Sequence, residues 1–242
     1  MITPNSATLQ KTSQIRERLA QLAKLIAARH RNELEEWKKR SSDLEHPYWL
    51  WESLLLSFST MGRSKGAAAL MRNPELHRKV TYNALAKLSP RDRKRTLKET
   101  LRAAKLVRMP DRKAEWLHSA FDRISSEMGG IAEAKQALLS RAGPEAKMEF
   151  LRSFDGIGPK YSRNMLMDVY HPDFRDSIAI DQRIKAISKA LGLSFKNYDD
   201  HENFYRSVAH DAGLNGWELD RLMYRFTKEF LEGTNHAQAD AS

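Results

Sequence analysis

Residues 151–162 read Leu-Arg-Ser-Phe-Asp-Gly-Ile-Gly-Pro-Lys-Tyr-Ser, and no other stretch restricts the possible folds as much. Leu151 and Phe154 fall on one face of an incoming helix. Gly156 can take the positive φ that ends a helix. Ile157 is a lone apolar residue between two glycines, so it is expected to plug back between the helices. Pro159 suits the first turn of a following helix, where its missing N–H costs nothing. The spacing therefore predicts a helical hairpin over about 144–169 with Gly156–Gly158 at an exposed tip. Free backbone N–H groups would lie there beside a helix N-terminus, a ready site for phosphate, with Lys160 next in the chain. A Gly-x-Gly tripeptide is also a common plain helix–helix turn, and taken alone it favours that reading.

The segment that follows adds a second feature. After Met165, Leu166 and Val169, the chain runs Ile178-Ala179-Ile180-Asp181-Gln182-Arg183-Ile184, an apolar run that ends in an acid where a new helix begins. Asp181 lies 21 residues beyond Lys160. Elsewhere the apolar residues recur at helical spacing and no strand pattern survives, which predicts an all-α chain of about eleven or twelve helices. The expected organisation is an N-terminal helix within 1–45 packing on the body, a main domain over 46–232 and a disordered tail over 233–242. Ile15, Leu19, Leu22, Leu25, Ile26, Leu34 and Trp37 are read as one long helix from Ala7 to about Lys39. Two short helices are expected over 64–87, and two more over 200–212 and 215–232.

Charge and composition narrow the partners. The net charge is +10, which favours a polyanion. Between Arg91 and Lys113, ten Lys or Arg oppose three acids; a run of this kind is either a solvated helix face or a phosphate-contacting surface. The chain has no cysteine, so disulfides and thiol catalysis are excluded, and a reducing, intracellular location (cytoplasm or nucleoid) is expected. No apolar run reaches the length of a membrane span, and no signal-peptide pattern opens the sequence. The histidines show no metal spacing. There is no P-loop and no nucleophile elbow. Lys160 and Asp181 remain as the pair with a chemical rationale. Their structural alternatives are a phosphate contact for Lys160 and a helix N-cap for Asp181.

Phe154-x-Gly156-Ile157-Gly158-x-Lys160-x-Ser162, followed by Asp181-x-x-Ile184, resembles the helix-hairpin-helix DNA glycosylases of the endonuclease III and 8-oxoguanine glycosylase branches. Ser162 stands where most members carry alanine. The resemblance implies an all-α, two-lobed fold with a DNA-binding cleft between the lobes. It implies Lys160 as the nucleophile of a bifunctional enzyme and Asp181 as the essential carboxylate, with Gly156, Gly158 and Tyr161 on the DNA backbone. It places a helix over residues 48–58 whose end reaches into DNA, which makes Trp49, Phe58, Ser59, Met61 and Arg63 candidates for base pocket or wedge. This segment lacks the glutamine or asparagine that many members use. Double-stranded DNA with a damaged base is the implied partner, and the protein is expected to be monomeric and away from membranes. No cofactor is required, although members hold a monovalent cation at the hairpin. The cysteine-bound iron–sulfur cluster of many relatives is excluded by composition.

The chemistry of such a pair is specific. An N-glycosidic bond breaks through a transition state with positive charge on the sugar, which a nearby carboxylate stabilises. A neutral lysine amine can attack the sugar carbon and form a Schiff base, which permits β-elimination of the 3′ phosphate. The target base must first be flipped out of the duplex. The implied substrate is an oxidised base such as 8-oxoguanine, with an alkylated base as the alternative. A purely hydrolytic glycosylase and a non-catalytic hairpin module for DNA binding are the other readings; a binding module has no need of the aspartate.

Overall fold

The computed structural model describes residues 6–62, 65–105 and 108–239. These residues form fifteen α-helices and no strand. In chain order they are α1 (Ser6–Arg29), α2 (Arg31–Lys38), α3 (Trp49–Thr60), α4 (Lys65–Met71), α5 (Pro74–Val80), α6 (Tyr82–Ala86), α7 (Pro90–Ala103) and α8 (Pro110–Asp122). They continue as α9 (Ile131–Leu139), α10 (Gly143–Arg152), α11 (Pro159–Met167), α12 (Gln182–Ala190), α13 (Tyr198–Asp211), α14 (Gly216–Arg225) and α15 (Thr227–Ala239). Among the described residues no helix is long and apolar enough to cross a membrane.

Three local features raise the helix number above expectation. The long N-terminal helix breaks at His30, which leaves helical geometry at φ −112° and ψ 27°. The His30 ring stacks on Phe226 at 3.6 Å, and its nitrogens meet Glu33 at 2.7 Å and Glu229 at 3.3 Å. The 64–87 region forms three helices because two side chains cap new starts: Asn73 accepts from the N–H groups of Glu75 and Leu76, and Thr81 from that of Ala84. The last helix divides at Phe226, at φ −111° and ψ 33°. Its second half, α15, continues to Ala239, so the segment expected as a disordered tail from Gly233 begins as helix. Gly233 lies against Leu22, where a Cβ would come within 2.7 Å of that side chain.

The chain forms two compact units. One joins Met1–Ser41 with Leu166–Ser242, bringing α1 against α13 and α15. Beneath α12 in this unit, the Ser188 hydroxyl meets His201 Nε2 at 2.7 Å and the Tyr205 hydroxyl at 2.9 Å. Burial, with Lys185 nearby, pushes His201 down to about 4, so its ring stays neutral in this cluster.

The other unit is Ser42–Met165. Its core is built on α3, with Leu50, Trp51, Leu54, Leu55 and Phe58 fully buried. The Trp51 indole donates to the Val80 carbonyl at 2.8 Å, and Tyr82 stacks on Phe121 at 4.7 Å. Much of the basic run serves this unit itself. Arg93 is buried over the Phe121 ring and donates to the Leu85 and Leu88 carbonyls and to Asp122. Lys113 is buried and donates to the Met61 carbonyl at 2.7 Å. Lys94 pairs with Glu115, Arg95 with Asp92, and Lys98 and Arg102 with Asp111. Arg91, Lys105, Arg108 and Arg112 have no acidic partner among the described residues and are exposed.

Candidate active site

The hairpin is α10, the turn 153–158 and α11. Phe154 and Ile157 are buried, and the Ile157 N–H donates back to the Phe154 carbonyl at 3.1 Å. Gly156 is exposed to solvent and adopts φ +80°, the left-handed region. A Cβ there would sit 2.6 Å from the Trp116 ring and 3.0 Å from Phe58, so absence of a side chain is required twice. Around Gly158, by contrast, a Cβ would meet nothing within 4 Å. The N–H groups of Gly158 and Lys160 make no hydrogen bond among the described residues, and regular helical bonding resumes with Ser162 N–H to the Gly158 carbonyl at 3.0 Å. An unobstructed pair of donors at a helix start is an anion-binding arrangement. Ser162 is fully buried, and its hydroxyl returns to the Pro159 carbonyl at 3.0 Å. Lys160 is half-buried, with Nζ 4.7 Å from the centre of the Tyr161 ring.

The turn is held by residues that sequence reasoning missed. Phe58 and Trp116 stack at 5.7 Å and form the floor under Gly156. The Ser119 hydroxyl donates to Asp155 at 3.1 Å. Arg123 lies over the Phe154 ring at 5.2 Å and donates to the Ser153 carbonyl. No local signal marks these partners, since they come from α3, α8 and the turn after α8. A contrast between two glycines follows. Gly156→Ala is expected to destabilise the fold by about 3 kcal/mol through left-handed strain and overpacking, read as a lower urea midpoint. Gly158→Ala should leave that midpoint within about 0.5 kcal/mol of wild type.

The wedge candidates are placed differently from expectation. Trp49, Phe58 and Ser59 are all buried. The Ser59 hydroxyl closes onto the Leu55 carbonyl at 2.6 Å, and Phe58 is the hairpin floor. These three pack the interior of their unit, which accounts for them as core residues. Met61 ends α3 and is half-buried, with its carbonyl taken by Lys113. Arg63 lies outside the described residues.

In the unit that holds α12, Asp181 caps this helix. Its Oδ1 accepts from the N–H groups of Arg183 at 2.8 Å and Ile184 at 3.0 Å. Oδ2 accepts no hydrogen bond from the described residues. The side chain is half-buried. Asp181 is thus an N-cap, and the cap fixes one oxygen while leaving the other available to a developing positive charge. Arg183 lies over the exposed Tyr224 ring at 3.8 Å.

The residues leading to Asp181 form a short extended strap, Ile178-Ala179-Ile180, and all three are buried. Each strap N–H is accepted by a side chain: Ile178 by Glu202 at 3.0 Å, Ala179 by Asp220 at 2.9 Å and Ile180 by the Tyr198 hydroxyl at 3.0 Å. Tyr198 also donates to the Ile178 carbonyl at 3.2 Å. Burial pushes the Asp220 carboxyl up to about 6; Asp181 and Asp168 reinforce that shift, and Arg221 and the Ala179 N–H oppose it. Trp217 is core: its indole donates to the Met167 carbonyl at 2.6 Å.

No protein-family profile matches the sequence, and no curated protein matches it. Solved structures do. The 8-oxoguanine DNA glycosylase of Methanocaldococcus jannaschii superposes with a TM-score of 0.64 at 17% identity, covering 86% of this chain and 92% of that one. The 8-oxoguanine DNA glycosylase of Thermotoga maritima gives 0.64 at 18% identity, covering 88% and 98%. The M. jannaschii 8-oxoguanine glycosylase/lyase in complex with a 15mer DNA containing 8-oxoguanine gives 0.63 at 17% identity, covering 86% and 96%. The chain therefore has the all-α fold of these glycosylases over nearly its whole length.

Proposed function

We propose that this protein is a base-excision glycosylase that removes a damaged base from double-stranded DNA and cleaves the abasic strand through a lysine Schiff base. The observation that carries the reading is the hairpin: Lys160 stands in the first turn of α11, immediately after an unobstructed Gly158. The shared fold with three glycosylase structures supports it. Gly156, Gly158 and Tyr161 would face the DNA backbone, with Arg91, Lys105, Arg108 and Arg112 as further phosphate contacts. Met61 is the remaining described wedge candidate, since an apolar side chain can enter a base step.

In this reading the Lys160 amine attacks C1′ of the flipped nucleotide. The bond from C1′ to the base breaks, and the base leaves with the electron pair and takes up a proton. The adduct opens to a Schiff base, loss of a 2′ proton follows, and the 3′ phosphate departs. Asp181 stabilises the positive charge on the sugar. The substrate is an oxidised base of the 8-oxoguanine kind, and the protein acts as a monomer in the cytoplasm or nucleoid. A monovalent cation at the hairpin belongs to the same proposal. The Phe154 and Gly158 carbonyls each accept one hydrogen bond, which leaves a lone pair on each, and backbone oxygens are hard donors suited to such an ion. A bound cation would add positive charge opposite a phosphate.

The test is borohydride trapping across a panel of duplexes with one damaged base each. A covalent complex with an oxidised-base duplex is expected; base release without trapping would mark a hydrolytic enzyme, and neither would mark a binding module. Binding should also weaken steeply with salt. With about four phosphate contacts the affinity should fall on the order of a hundredfold between about 50 and 200 mM. A flat dependence would remove phosphate-led binding from the proposal.

A further inference from the structure

We infer that Asp220 is a positioning residue for Asp181, acting through the strap Ile178–Ile180. The inference rests on the proposed glycosylase reading and adds a specific device to it.

Three consecutive buried N–H groups in a helical protein need acceptors, because each orphan costs about 1–3 kcal/mol. A three-residue segment could meet that need by coiling into a turn. Here it stays extended, and the acceptors are side chains of α13 and α14. Asp181 follows at φ −111° and ψ −174°, still extended, and α12 starts at the next residue. The direction in which the chain enters α12 is thus set by those side chains, and with it the carboxylate at the cap.

Asp220 is the central and most buried of the contacts. An asparagine or serine would satisfy the Ala179 N–H without the penalty of burying an acid. The charges facing Asp220 are Arg221, whose Nη1 lies 3.6 Å away, and the carboxylates of Asp168 and Asp181. Arg221 also bonds Asp168 at 3.0 Å, so its positive charge is shared. Burial raises the Asp220 carboxyl to about 6, so the closed site favours the protonated acid, and its carbonyl oxygen still accepts from the Ala179 N–H as pH falls through that value.

Two measurements on the full chain test this: single-turnover base release and amide exchange of the 178–184 segment. Asp220→Leu leaves the Ala179 N–H without an acceptor. It should lower the rate at least tenfold with DNA affinity unchanged, and speed strap exchange by a similar factor. Asp220→Asn retains a carbonyl acceptor and should recover most of that loss in both rate and strap exchange. A wild-type rate and wild-type strap exchange in Asp220→Leu overturn the inference. So does a tenfold loss of both rate and strap protection in Asp220→Asn, which keeps the acceptor oxygen, and this decides the matter if Asp220→Leu does not fold. If wild type releases no base, the glycosylase reading fails by itself, and strap exchange still decides whether Asp220 sets the entry to α12.

Discussion

Lys160→Gln is expected to abolish strand cleavage and the borohydride-trapped complex, a loss of at least about a thousandfold. Glutamine has nearly the length of lysine but offers an amide nitrogen whose lone pair is delocalised, so it cannot attack C1′. The substitution should not disturb the fold, because the Lys160 side chain is half-buried and its contact is the neighbouring Tyr161 ring. DNA binding should persist, since one cation is lost and the salt slope changes by about one at most. The measurement is cleavage of an abasic duplex beside a binding titration. Wild-type cleavage by the variant would show that another group is the nucleophile. Normal base removal with no cleavage would show a hydrolytic enzyme whose lyase step is incidental.

Asp181→Asn carries the second large effect and separates two roles held by one side chain. Asparagine caps helices as well as aspartate does, and its carbonyl can replace Oδ1 on the Arg183 and Ile184 N–H groups. Thermal stability should therefore stay within about 0.5 kcal/mol of wild type. The negative charge is gone, and base release should fall at least about a hundredfold, the size expected for a preorganised electrostatic stabiliser. Were Asp181 only a cap, Asp181→Asn would release base normally, and Asp181→Ala would cost about 1 kcal/mol of stability with no comparable loss of rate.

The basic run shows how charge counting and structure part company. Its excess of positive charge is visible in the sequence, yet Arg93 and Lys113 are buried and four others meet acids within the same unit. Asp111 lies close to Lys98 in sequence, but Asp122 is 29 residues from Arg93, and no local pattern announces that pair. The aromatic residues behaved likewise. Composition cannot tell a tryptophan that lines a pocket from one such as Trp51 or Trp217, whose indole finds a buried carbonyl.

The sequence by itself determined the helical class, because the apolar spacing is a local consequence of 3.6 residues per turn. It also determined the hairpin, because Gly156 and Pro159 each answer a backbone requirement of the turn and the helix start. The cap at Asp181 was legible for the same reason. Only the tertiary structure decided why Gly156 admits no side chain, since Trp116 and Phe58 arrive there from other helices. Likewise the strap before Asp181 looks in sequence like any apolar run; its acceptors Tyr198, Glu202 and Asp220 lie 18, 24 and 41 residues away from the groups they bind. Periodicity and capping act over one or two turns of helix, whereas burial and the satisfaction of buried N–H groups act across the fold, and a single sequence does not encode them locally.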